Sequence, residues 1–185
     1  MHSPLSSPEP ADADPYAGDL LGAELVAALS SARRRAGRDG DRHVDTAHLL
    51  HGLIESDPAV RSALGGPVRL TRLLGYLAQR SIGYGLRWQG RVEGTGGDAP
   101  SAPAPGPGGR RGPAGWSPAA VAALEGALRR ARERGGTRAE GTDLLAALAD
   151  DPGCRAMEVL RRADAVPGGW ARTRATGPQC QGHCR

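Results

Sequence analysis

The sequence predicts an all-α fold, a pseudo-twofold duplication of a four-helix repeat whose second copy is truncated, with disordered termini and linker. The first observation behind this is a repetition at an offset of ninety-five positions: "VAALSSARRRAGRDG" from Val26 to Gly40 overlies "VAALEGALRRARERG" from Val121 to Gly135. Continued without a gap, the same offset lays Leu49, Leu50 and Leu53 on Leu144, Leu145 and Leu148. A unit too small to cover its own apolar face gains a core by packing against a copy of itself. The second observation is apolar spacing of three and four residues inside each copy, which places one stripe along a helix. The third is composition: residues 1–17, 89–115 and 167–185 are so rich in Pro, Gly, Ser and Ala that they cannot offset the entropy of ordering. The chain therefore divides into an N-terminal tail (1–17), a first repeat (18–88), a linker (89–115), a second repeat (116–166) and a C-terminal tail (167–185).

The elements follow in order. Leu21, Leu25, Ala28 or Leu29, Ala32 and Ala36 form the stripe of the first helix, which Gly37 and Gly40 are expected to stop. Thr46 is the expected cap of a short helix from Ala47 to Glu55, with Leu49, Leu50, Leu53 and Ile54 pointing inward. "DPAVRSALGG" opens a third helix, its aspartate accepting amide hydrogen bonds and its proline at a position where the missing N–H costs nothing. Leu70, Leu73, Leu74 and Leu77 outline a fourth, weakened by Gly75. In the second copy Ser117 caps and Pro118 begins a helix striped by Val121, Leu124, Leu128 and Ala131, stopped by Gly135 and Gly136. Thr142 is the nearer cap for the next helix, and "DPGCRAMEVL" repeats the Asp-Pro start. "VPGGWARTRATG" then breaks helical structure, leaving no fourth helix.

The net charge of +4 and pI near 9.5 raise the question of a basic nucleic-acid-binding regulatory protein, acting through Arg33, Arg34, Arg35, Arg129 and Arg130. All 24 basic residues are Arg, with no Lys and no Phe, the signature of GC-rich codons rather than of a partner. Nucleic acid is accordingly the alternative rather than the main reading, and affinity falling steeply with salt would be its mark. No apolar run approaches the ~18 residues of a transmembrane helix, and the N-terminus lacks a basic start and apolar core, so a cytoplasmic protein without membrane contact is expected. The three cysteines form no disulfide framework.

The segment "VDTAHLLHGL" resembles the "VGTEHLLLGL" motif of the Clp unfoldases, AAA+ chaperones of the ClpA, ClpB and ClpC type, whose N-terminal domain is a double helical repeat. The matching residues are Val44, Thr46, His48, Leu49, Leu50, Gly52 and Leu53, with Leu144, Leu145 and Leu148 retained in the second copy and Asp143 standing where the histidine belongs. The resemblance, of the ClpA/ClpC type, implies a compact pseudo-dimer that binds the adaptors and substrate proteins of an unfoldase. With no lysine in the chain a Walker A loop is impossible, so the resemblance is to a free-standing N-domain without AAA+ modules, an adaptor, substrate-recognition or decoy protein rather than an enzyme. The family's phosphoarginine-receiving glutamates align with Ala47 and Thr142, neither of which carries charge.

No catalytic constellation is expected: there is no G-x-S-x-G, and no Cys is framed with a His. No cofactor and no metal are expected. His43, His48 and His51 lie close in sequence, but no cysteine or carboxylate stands at ligand spacing beside them, and His48 reads as a structural residue. Cys180, His183 and Cys184, with Cys154, could offer soft ligands only if the tail were framed by a fold. Trp88, Trp116 and Trp170 flank the repeat edges and read as edge packing.

Overall fold

A computed structural model of the chain describes residues 19–79, 92–94 and 115–166. Among them lie seven α-helices and two very short strands: α1 (Ala23–Asp39), β1 (His43–Val44), α2 (Thr46–Ser56), α3 (Pro58–Ala63), α4 (Pro67–Gln79), β2 (Gly115–Trp116), α5 (Pro118–Glu133), α6 (Gly141–Asp150) and α7 (Arg155–Arg162). The fold is all-α, as the sequence predicts, and the ninety-five-residue offset holds in space. Gly40 closes α1 and Gly135 follows α5, both in the left-handed region (φ 75° and 76°), where a side chain would be strained. Asp41 N–H then reaches back to Ala36 O (2.9 Å), and Gly136 N–H to Ala131 O (2.8 Å).

The two copies are joined by an exchange. β1 pairs in parallel with β2, setting Val44 beside Trp116, while Leu21 bridges Ala139. Each of these residues is the ninety-five-residue counterpart of one in the other pair, so the contact is isologous, as in a twofold dimer. The hydrogen bonds repeat the symmetry: Gly22 N–H donates to Ala139 O (2.8 Å) and Ser117 N–H to Val44 O (2.9 Å). α2 packs on α7, and α6 on α3. A single apolar cluster runs through both copies, with Leu25, Leu29, Leu49, Leu50, Leu53, Leu124, Leu144, Leu145 and Leu148 fully buried within it. The halves are therefore packed together, not loosely tethered.

Several local expectations are overturned. α1 runs through Gly37, whose missing side chain faces open space. Asp45, not Thr46, caps α2: its Oδ1 accepts His48 N–H (3.0 Å), and His48 Nδ1 accepts Asp45 N–H (3.2 Å). An aspartate one residue earlier offers a carboxylate where Thr offers a weaker hydroxyl acceptor. In α6 the cap position is Glu140, whose N–H donates to Asp143 Oδ2 (2.9 Å), and Thr142 is exposed. Asp57 caps α3 as expected, but Asp151 and Pro152 form a turn in which Gly153 N–H donates to Asp151 Oδ1 (2.9 Å). α7 starts three residues later with Cys154 as N-cap, its Sγ accepting Met157 N–H (3.4 Å). Gly153 frees the chain to turn again before committing to helix. Along α5, Val121 and Leu128 are only partly buried while Ala120, Ala123 and Ala127 face the core, and in α4 Leu74 is 37% exposed.

Candidate functional site

The residues that carry the motif build the interior. Val44, Thr46, His48, Leu49, Leu50, Gly52, Leu53, Leu144, Leu145 and Leu148 are all buried. A Cβ on Gly52 would stand 2.2 Å from Ala28 O, so only glycine lets α2 approach α1 this closely. Ala47 is likewise fully buried, which closes the position of the family glutamate to any ligand. Surface chemistry must come from other residues.

The junction of the two copies gathers one polar constellation. Glu93, from the segment the composition assigns to a linker, is 8% exposed and lies against the N-termini of α2 and α7. Its carboxylate accepts Thr46 N–H (2.8 Å), Thr46 Oγ–H (2.5 Å), Arg155 N–H (2.6 Å) and Ser117 Oγ–H (3.3 Å). Two helix N-termini and two hydroxyls thus converge on one carboxylate, the arrangement in which helix dipoles favour an anion. Thr46 Oγ also accepts Ala156 N–H (3.0 Å), and Arg155 Nη1 donates to the cap carboxylate Asp45 (2.6 Å), so each copy's helix start is tied to the other's. The signal in sequence was small: Val92 is the one large aliphatic side chain between 89 and 115.

Beside this junction a cleft of ≈ 170 Å³ opens between α5, α6, the turn before α7 and Thr46 at the start of α2. Its floor is small and apolar (Ala119, Ala122, Ala123, Gly126, Ala147), and Arg129, Asp150 and Asp151 stand at its rim. Cys154 lines it too, but burial above all pushes the thiol up to about 11, so it is neutral and unreactive near neutral pH.

Two further corners are equivalent under the ninety-five-residue offset. In the first copy His48 Nε2 lies 3.6 Å from Asp39 Oδ2 and 3.3 Å from Asp41 Oδ2, with Asp45 Oδ1 2.9 Å from Nδ1. This corrects the expectation that no carboxylate stands near the histidines. The Gly40 turn folds Asp39 and Asp41 onto α2, a proximity that sequence spacing hides. In the second copy the counterparts are Arg134 and Asp143, joined by Arg134 Nη2 to Asp143 Oδ2 (2.8 Å) and by Nε to the same carboxylate. Burial works to raise the Asp143 pKa, but the Arg134 hydrogen bonds, the Glu140 amide and the charges of Arg134 and Arg130 together outweigh it and hold the carboxyl below its ordinary range. His51 does not join His48: it is buried beside Glu55 and Arg35, and burial first, then Arg35, lowers its pKa from 6.5 to about 4. His43 lies in β1 against Gly115.

The arginines of the nucleic-acid reading are largely engaged within the fold. Arg33 stacks over the partly buried Trp116 (4.8 Å to the ring centroid), Arg35 pairs with Glu55, Arg130 with Asp150 (2.6 Å) and Arg129 with Glu133 (4.0 Å). Arg34 is exposed. Trp88, Trp170, Cys180, His183 and Cys184 lie outside the described residues. Among the described residues no helix is long and apolar enough to cross a membrane.

The fold defines the class: an all-α, pseudo-twofold double helical repeat. Fourteen solved chains match it. Among them is the N-terminal domain of the caseinolytic protease associated chaperone ClpD from Arabidopsis thaliana, with a TM-score of 0.56 and 19% identity over 81% of this chain and 88% of that one. The chain thus has a Clp N-domain-like fold. No family model matches the chain, and no curated protein matches it in sequence.

Proposed function

We propose that this chain is a non-catalytic protein-binding module of the Clp protease system, an adaptor, substrate-recognition or decoy protein for a ClpC-type unfoldase. The observation that carries the reading is the open cleft beside α5 and α6, next to the junction where the described helices of the two copies pack into one core. Its small apolar floor suits an extended segment of another protein, and its charged rim supplies orientation. Of the motif leucines only Leu148 reaches the cleft lining.

The test is to titrate the full chain into a reconstituted ClpC-type unfoldase and peptidase degrading a fluorescent substrate. An adaptor accelerates degradation and a decoy slows it. Ala122→Arg, at an exposed position on the cleft floor, should abolish either effect while leaving the melting temperature unchanged. No effect of the parent chain on turnover, together with no binding to the unfoldase or its adaptors, sinks the proposal.

A further inference from the structure

We propose that Asp39, Asp41 and His48 form a binding site for a divalent transition-metal ion of the zinc type, built into the turn between α1 and α2. One ligand atom from each of the three side chains, a carboxylate oxygen from each aspartate and a nitrogen from the histidine, falls within 4.8 Å of the others. The separations from His48 Nε2 to the two carboxylates are 3.3 Å and 3.6 Å. Atoms held about 2.0–2.2 Å from a tetrahedral zinc stand about 3.3–3.6 Å apart, so the two distances from His48 match two edges of such a polyhedron, whereas N–H···O hydrogen bonds centre near 2.9–3.0 Å. One imidazole and two carboxylates make a three-ligand set, with water as the fourth ligand. The Asp41 side chain, 46% exposed, leaves a path for ion and water.

Two independent features support a cation here. The first is the outer shell: Asp45 Oδ1 stands 2.9 Å from His48 Nδ1, and Arg155 Nη1 holds the other Asp45 oxygen at 2.6 Å. Nδ1 lies within reach of both Asp45 N–H (3.2 Å) and Asp45 Oδ1 (2.9 Å). When a metal takes Nε2, the ring proton is carried on Nδ1, where Asp45 Oδ1 can accept it. A carboxylate behind the ligating histidine is the usual device for fixing its orientation and raising its basicity. The second feature is the other copy. There the counterpart of Asp39 is Arg134, and its guanidinium supplies a covalently attached cation to Asp143, the counterpart of His48. The two corners thus place positive charge at matching points by different means, an arginine in one and an exchangeable ion in the other. A set with an imidazole favours zinc-like ions over magnesium or calcium, which prefer all-oxygen sites.

The test is zinc titration of the full chain by calorimetry in a Cys180→Ser, His183→Gln, Cys184→Ser background, which removes the soft ligands of the C-terminal tail. One equivalent of zinc is expected, with cobalt giving the intense visible absorption of four-coordinate geometry and magnesium failing to compete. Asp41→Asn, on the half-exposed side chain, and Asp39→Asn, on one 15% exposed, should each weaken zinc at least tenfold. They should also remove the zinc-induced rise in melting temperature without altering the metal-free melt. His48→Gln should abolish binding, and the two aspartate variants carry the test should it fail to fold. Absence of stoichiometric zinc binding, or binding unchanged in both aspartate variants, overturns the proposal.

Discussion

The corner where α1 meets α2 and the corner where α5 meets α6 share a backbone and differ in chemistry, and the differences come in matched pairs. One ion pair is kept: Arg35–Glu55 recurs as Arg130–Asp150. One is rewritten, Asp39 and His48 becoming Arg134 and Asp143. One steric solution changes sides. In the first copy the glycine of the close crossing is Gly52 on the second helix, whereas in the second copy it is Gly126 on the first, facing Ala147 with a prospective Cβ–Cβ distance of 3.0 Å. A helix crossing needs one small residue on either side of the contact, and a buried carboxylate needs donors or a cation to match it. The constraint falls on the pair, so each position drifts while the pair persists.

The largest test of that equivalence is in the core. Leu50→Ala and Leu145→Ala should each cost about 2–5 kcal/mol in chemical denaturation, because each leaves a cavity in a fully buried site. Both variants should still unfold in one transition, since the copies share one cluster. Two separable transitions would break the comparison.

Next come the crossings. Gly52→Ala should cost ~1–3 kcal/mol, because its Cβ would meet backbone that cannot step aside. Gly126→Ala should cost less, since it needs only a few tenths of an ångström from Ala147 and gains about 1 kcal/mol of helix propensity. Adding Ala147→Gly should relieve the Gly126→Ala contact, which a double-mutant cycle would detect as coupling. Glu93→Ala, at the point where the copies meet, should destabilise by about 1–3 kcal/mol through the buried amides and hydroxyls it leaves unmatched. Glu93→Gln keeps the shape and two of the acceptor geometries, and should fall between.

Acid sensitivity between pH 6.5 and 4 belongs to one copy. His51 is replaced by Ala146 at the equivalent position. Its folded pKa of about 4 lies below the ordinary 6.5, so the unfolded chain binds the extra proton. The associated stability is complete above pH 6.5 and is lost as pH falls toward 4. Glu55, lowered by Ser31 and Arg35 against the opposing effect of burial, adds a loss only below its ordinary 4.5. Thermal melts of His51→Ala should therefore be flatter than the parent between these limits. Equal slopes would locate the acid response elsewhere.

Helix content and the duplication were legible because they rest on short-range regularities: apolar residues three and four apart, glycine after the last turn, and a leucine triplet at constant offset. Ser117 could be read as a cap because nothing nearby competes with it. Capping failed at α2, α6 and α7, where rival residues one to three positions apart differ by less than tertiary context contributes. The nearness of Asp39 and Asp41 to His48 was hidden, as the Gly40 turn brings together residues that no helical period relates.

The sequence by itself determined that this chain forms two copies of one helical unit, for the periodicity of burial is written locally. Tertiary structure alone decided that the copies exchange their first backbone hydrogen bonds, that Glu93 seals two helix starts at once, and which histidine meets which carboxylate. Those outcomes depend on where separate elements come to rest, and that placement is fixed by the joint packing of both copies rather than by any single stretch of residues.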